Sequence, residues 1–301
     1  MANSSKAPVL GALETAVQRW RDRGEPSQPP SRWSPESWLR HFPQHHSFLN
    51  ALPERIDRAE ATRRAAHATT ADGAERAFLV AMIWGYGPVG YGPWRTARVL
   101  AENPRAVQRL ADVARVAQAR GGVAAFRDLA GRRLRYLGVA FGTKYLRFVT
   151  VALSSDHVGP PILDAGVRRW LVTHAGVYLN IDEWRPSVYE RYVALLASWS
   201  AELALTADTV EELIFRSAIS QTGSAFWGEE WLRADEPASQ EPARQAQAKL
   251  LELERLFESA DPQAALEARQ HLDELARIID RRWDGSATLP DSAQPIDDRV
   301  V

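Results

Sequence analysis

The stretch LRYLGVAFGTKYLRFVTVAL, residues 134–153, decides how this chain is read. Apolar residues recur three and four apart on both sides of a short glycine-bounded segment, Gly138-Val139-Ala140-Phe141-Gly142. The pattern predicts a helix, a tight turn and a second helix that begins near Thr143. Lys144 then falls in the first turn of that helix, at the positive end of its dipole. Backbone N–H groups exposed at such a helix start suit a phosphate oxygen. Arg127, Arg132, Arg133, Arg135 and Arg147 surround the turn, against the single acid Asp128.

A second stretch, PPILDAGVRRWLV at residues 160–172, extends the argument. Pro160-Pro161 close one segment, and Asp164 stands at the start of the next helix, where an anion is favoured. An aspartate between Leu163 and Ala165 is out of keeping with so apolar a run. The lysine distribution is equally uneven. The chain has three lysines, Lys6, Lys144 and Lys249, and writes arginine for every other basic residue. Lys6 lies in the N-terminal arm and Lys249 in an acidic C-terminal region, so Lys144 is the one lysine of the body. Arginine stays protonated, whereas a desolvated lysine can lose its proton and act as a nucleophile.

Working outward, the 301 residues are 45% hydrophobic and 25% charged, an ordinary globular balance. The absence of cysteine excludes disulfides, thiol nucleophiles and cysteine-ligated zinc. Among the seven histidines only His41 and His45 stand at HxxxH spacing and no HExxH occurs, so neither a metal site nor a cofactor is expected. The longest apolar run, Ala77 to Trp84, is too short to span a bilayer, and the N-terminus lacks a signal-peptide core, so a cytoplasmic protein is expected. The net charge of −1 hides an asymmetry. Residues 234–301 hold 15 acidic and 8 basic residues, a net of −7, which leaves the first 233 residues at +6. A basic body with an acidic tail is compatible with phosphate binding by the body.

Helical periodicity runs almost throughout. Helices are expected at 8–22, 34–42, 72–84, 103–120, 123–130, 131–137, 143–154, 161–175, 186–204 and 207–220. Asp72-Gly73-Ala74-Glu75 reads as a capping box, and Gly121-Gly122 as a stop. Gly85 to Pro93, with four glycines and two prolines, reads as a loop. Beyond Ala234 a polar linker leads to two further helices, 244–258 and 263–283, and then to a disordered tail. This hairpin could pack on the body or on a protein partner.

Taken together, Leu137-Gly138-Val139-Ala140-Phe141-Gly142-Thr143-Lys144 and Ile162-Leu163-Asp164-Ala165-Gly166-Val167-Arg168-Arg169-Trp170 resemble the helix-hairpin-helix DNA glycosylases, and most nearly their 8-oxoguanine DNA glycosylase branch. There a Leu-Pro-Gly-Val-Gly hairpin precedes the catalytic lysine, and a Val-Asp pair follows beside an aromatic-containing helix. The hairpin here is longer and lacks the proline, and the separate antiparallel sheet domain of longer relatives has no counterpart. The resemblance implies an all-α glycosylase body over residues 1–233, followed at 234–301 by the acidic linker, helical hairpin and tail.

It also implies the chemistry. Double-stranded DNA with a damaged or modified base would be the partner. Lys144 would attack the sugar of a flipped nucleotide through a Schiff base, which permits strand cleavage, and Asp164 would stabilise the developing charge. Gly138, Gly142, Thr143 and Arg168 would meet the backbone. In the Gly85–Pro93 loop, Tyr86 or Tyr91 would fill the gap left by the flipped base, with Trp94 and Arg95 beside the phosphates. Phe148, Glu211 and Phe215 would line the base pocket. The base would be an oxidised purine, in repair, or a modified base of phage DNA, in defence. The alternatives are a catalytically silent helix-hairpin-helix DNA-binding module and a helical protein-interaction domain.

Overall fold

A computed structural model describes residues 10–154 and 157–222. The chain divides into two compact units, Met1–Ser220 with Ser224–Trp231 and Gln221–Gly223 with Leu232–Val301. The elements described here belong to the first, apart from the last two residues of the final helix. The expected helices at 244–258 and 263–283 lie outside the described residues.

Among the described residues the body is helical except for one pair of two-residue strands. In chain order it opens with α1 (Gly11–Asp22), β1 (Ser31–Arg32), α2 (Pro35–His41), α3 (His46–Asn50), β2 (Arg55–Ile56) and α4 (Arg58–Arg64). The strands pair antiparallel, Ser31 opposite Ile56. Pro35 occupies the first position of α2, where its missing N–H costs nothing. Asp57 caps α4 by accepting the Glu60 N–H at 2.6 Å.

The core follows: α5 (Ala71–Tyr86), α6 (Tyr91–Ala101), α7 (Ala106–Gly131) and α8 (Val139–Leu153). Every residue of the run Ala77 to Trp84 is buried, which is why this stretch of α5 shows no polar face. Its aromatics pack on α8, Phe78 against Tyr145 and Trp84 edge-on to Phe148 at 5.1 Å. Each fully buried side chain of this size contributes about 1.5–3 kcal/mol. The start of α5 differs from the expected capping box. Thr70 accepts the Gly73 N–H, while Asp72 bonds Arg76 and Glu75 reaches His45.

The hairpin also differs from expectation. α7 breaks at Gly121, whose φ of 78° only glycine adopts readily, and then resumes to Gly131. No helix forms over 131–137. Residues 132–138 are the connecting loop, and α8 starts at Val139, so Gly142 and Thr143 lie inside a helix and Lys144 is its sixth residue. The physical reason is that side chains satisfy this loop's carbonyls. Arg109 Nε donates to Arg132 O, Asn103 Nδ2 to Arg135 O, Arg95 Nε to Tyr136 O and Trp184 Nε1 to Leu137 O, at 3.0–3.2 Å. Leu134 and Leu137 are buried as loop residues, and their spacing mimics a helical face. The Gly85–Pro93 segment is likewise mostly helical: Gly85 and Tyr86 finish α5, Gly92 and Pro93 lie in the first turn of α6, and only residues 87–90 connect them.

Residues 160–164 are extended, and α9 (Ala165–Trp170) follows, continued by a π turn over Leu171–Ala175. α10 (Pro186–Leu203) and α11 (Ala207–Thr222) complete the body. Among the described residues no single helix is long and apolar enough to cross a membrane.

Candidate active site

Lys144 points into the body and is 4% exposed. Its Nζ donates to Asp164 Oδ2 at 2.9 Å, and Asp164 is 9% exposed. Asp164 is the N-cap of α9, its other oxygen accepting the Val167 N–H at 3.1 Å. Burial pushes the Asp164 carboxyl up, but the Lys144 ammonium and the N–H groups of Val167 and Gly166 outweigh it and hold the carboxyl below its ordinary value. It is therefore an anion at neutral pH.

The wall carrying Asp164 is fastened at successive residues. Thr143 Oγ1 accepts the Leu163 N–H at 3.1 Å while donating to Ala140 O. Neighbours on α8 thus hold neighbours on the segment leading into α9, Thr143 gripping Leu163 and Lys144 gripping Asp164. The hydroxyls of Tyr189 and Tyr192 on α10 donate to the carbonyls of Pro161 and Ile162, both at 2.8 Å.

The opposite wall is aromatic. Phe141, one turn before Lys144 on α8, has its ring centroid 5.2 Å from Nζ. Tyr86 stacks on Phe141 at 3.9 Å with the planes 21° apart. Gly85 makes this fit possible: a Cβ there would lie 2.8 Å from both Lys144 Cδ and Phe141 Cε1. From Tyr86 the rings continue to Tyr91 at 6.4 Å and from Tyr91 to Trp94 at 5.1 Å. Trp94 reaches the surface, 40% exposed.

Behind the pair lies a second ion cluster. Arg58, on α4, donates to Glu211 at 2.8 Å and Asp208 at 3.1 Å. Arg147, three residues beyond Lys144, grips Asp208 with two bonds, at 2.7 and 2.5 Å. Glu211 is buried. Burial raises its carboxyl, Arg58 offsets part of this, and the negative charges of Asp208 and Asp164 add to the rise, leaving it at about 7.

The structure brings some expected site residues together and separates others. Lys144 and Asp164 meet. Phe215 packs beside Gly166, its ring 3.5 Å from where a Cβ of Gly166 would stand, and so lies next to the Asp164 cap. Glu211 is bound to Arg58 rather than facing open space. Phe148 is wholly enclosed against Trp84 and offers no surface to a base. Gly142 and Thr143, expected at a phosphate, face inward, Gly142 beneath the Trp184 ring and Thr143 on Leu163. Gly138, the N-cap of α8, is exposed. Tyr86 and Tyr91 are half-buried within the aromatic row, with the Tyr91 hydroxyl accepting from Arg95 at 3.0 Å. Arg168 lies 3.6 Å from Asp182.

Around the 132–138 loop, Arg132, Arg133 and Arg135 are exposed, and Tyr136 adopts a left-handed φ of 69°. Arg98 lies 4.0 Å over the Tyr136 ring and 5.0 Å over Trp94. Sequence reasoning missed Phe141, Gly85, Arg58 and Asp208. For Phe141 a signal existed: once α8 starts at Val139, the spacing of three places Phe141 and Lys144 on one helical face.

These features define a class: a mostly helical domain that buries a lysine–aspartate pair close to an arginine-rich inter-helix loop. The chain belongs to the family described as "Putative 8-oxoguanine DNA glycosylase OGG-like protein", whose model matches residues 24–215. The matched segment contains α2 to α10 and both residues of the pair, and the membership implies DNA as the substrate. No curated protein and no solved structure matches the chain.

Proposed function

We propose that this protein is a lysine-dependent DNA glycosylase, with Lys144 as nucleophile and Asp164 as the stabilising anion. The observation that carries this reading is the buried 2.9 Å contact between Lys144 Nζ and Asp164 Oδ2 inside the family-matched segment. A base paired in a duplex is out of reach of a buried amine, so the nucleotide must be extruded first. Lys144 first releases its ammonium proton to solvent as the site opens; the neutral amine then attacks C1′, and the bond from C1′ to the base breaks. The base leaves with the bonding electrons and takes up the proton that the newly formed secondary ammonium releases. Ring opening of the sugar then yields a Schiff base on Lys144, and elimination of the 3′ phosphate from it would cut the strand. Asp164, held ionised, is a poor store for a proton and a good counter-charge to the sugar as it becomes cationic.

The exposed arginines of the 132–138 loop supply phosphate contacts. Trp94, the exposed end of the aromatic row, is better placed than Tyr86 or Tyr91 to enter the duplex as the wedge. Two substrate classes follow from this reading, an oxidised purine in repair or a modified base of phage DNA in defence.

The test is incubation with a panel of duplexes carrying one or the other class of base, with and without borohydride. One class should give free base and a covalent protein–DNA species. DNA binding without base release on any duplex would leave the silent DNA-binding module as the correct reading.

A further inference from the structure

For chemistry to reach Lys144, part of its enclosure has to move, because the amine is sealed in the free protein. The two walls are not equally free to do so. The Asp164 wall is fixed by the Val167 N–H, by Thr143, and by the hydroxyls of Tyr189 and Tyr192, all buried hydrogen bonds whose loss strands polar groups away from water. The Phe141 wall is a half-buried phenyl ring, which carries no hydrogen bond and can turn about its own side-chain bonds. Phe141 is stacked on Tyr86, and the row continues through Tyr91 to Trp94 at the surface.

We propose that Phe141 is the gate of the Lys144 pocket, and that the row Trp94–Tyr91–Tyr86 holds it shut until a duplex engages Trp94. The inference rests on the glycosylase reading for its purpose but not for its geometry. Displacement of Trp94 loosens the rings behind it, Phe141 turns out, and the amine is uncovered only when a nucleotide is at hand. The gate also accounts for Gly85, since any side chain there would prop Phe141 and the Lys144 stem apart.

The gate can be tested without DNA. Treating the full-length protein with formaldehyde and cyanoborohydride methylates accessible amines, and peptide mass spectrometry reads each lysine separately. The chain's other two lysines, Lys6 and Lys249, serve as internal references. Phe141→Ala should speed Lys144 methylation at least about tenfold relative to the references, as expected when a closed state becomes a populated open one. Tyr86→Leu, which keeps apolar volume but removes the stacked ring, should speed it at least about threefold. Circular dichroism and thermal melting of each variant exclude global unfolding as the cause. Lys144 labelling unchanged in Phe141→Ala would overturn the gate, and labelling unchanged in Tyr86→Leu would overturn the role of the aromatic row. Faster labelling in a protein that releases no base from any duplex would leave the gate standing and remove the glycosylase reading instead.

Discussion

Lys144 and Arg147 stand one turn apart on α8, both buried and both paired with an aspartate from a later element, yet they are bound in different ways. Lys144 makes one bond to one oxygen of Asp164, whose other oxygen caps a helix. Arg147 grips both oxygens of Asp208 with a forked pair of bonds, and Arg58 braces Asp208 from α4. A guanidinium keeps its proton and fixes geometry; an amine on a flexible stem can give up its proton and move. The comparison teaches that this domain uses arginine where a charge is structural, and that its one lysine stands where the proposed reaction calls for a nitrogen that can give up its proton.

The sharpest way to break the comparison is to exchange its terms. Lys144→Arg keeps a cation opposite Asp164 but removes the nucleophile. Base release should fall at least about 1000-fold, while the melting temperature stays nearly unchanged. Arg147→Met should do the reverse. It leaves Asp208 short of a buried partner and should cost about 3 kcal/mol in urea denaturation, with activity per folded molecule kept within a few-fold. If Arg147→Met abolished activity without loss of stability, the division between structural and chemical cations would fail.

Smaller effects sharpen the picture. Asp164→Asn should lower base release at least about tenfold; asparagine keeps the helix cap, but the buried Lys144 ammonium loses its counter-charge, so stability at neutral pH should fall as well. The pH dependence of stability separates the two clusters further. The folded-state value of Asp164 is depressed, so its contribution is present at neutral pH and is lost as pH falls through that depressed value. Glu211 runs the other way. Its carboxyl rises from 4.5 to about 7, so the folded state holds the proton more tightly than the unfolded state, and stability falls as pH rises across that window. Glu211→Gln should flatten this slope in denaturation series between about pH 5 and about pH 7. Trp94→Ala tests the approach to the duplex rather than the chemical step. A lost stacking contact of about 1–3 kcal/mol should weaken activity on a fully paired duplex, and a mismatched target should recover part of the loss. Equal loss on both would return Trp94 to an ordinary surface residue.

The Lys144–Asp164 pair was legible in the sequence because both residues break a local pattern, a lysine among arginines and an aspartate in an apolar run. Most helices were legible from periodicity, and the family from the two motifs together. The hairpin was not. Leu134 and Leu137 repeat at helical spacing, but the side chains of Arg95, Asn103, Arg109 and Trp184 satisfy the loop carbonyls, and those partners lie far away in sequence. Misplacing the start of α8 then put Gly142 and Thr143 on the wrong surface and hid Phe141. Arg58 and Asp208 are 150 residues apart and nothing local to either marks the pairing.

The most direct test of the account is to map the covalent adduct. A modified duplex is turned over in borohydride, the trapped complex is digested by protease and nuclease, and the modified peptide is sequenced by mass spectrometry. The account predicts a reduced sugar remnant on Lys144, in the peptide bounded by Arg135 and Arg147, and no trapped species with Lys144→Arg. A remnant on Lys6, on Lys249 or on the N-terminal amine, or equal trapping with Lys144→Arg, would contradict it.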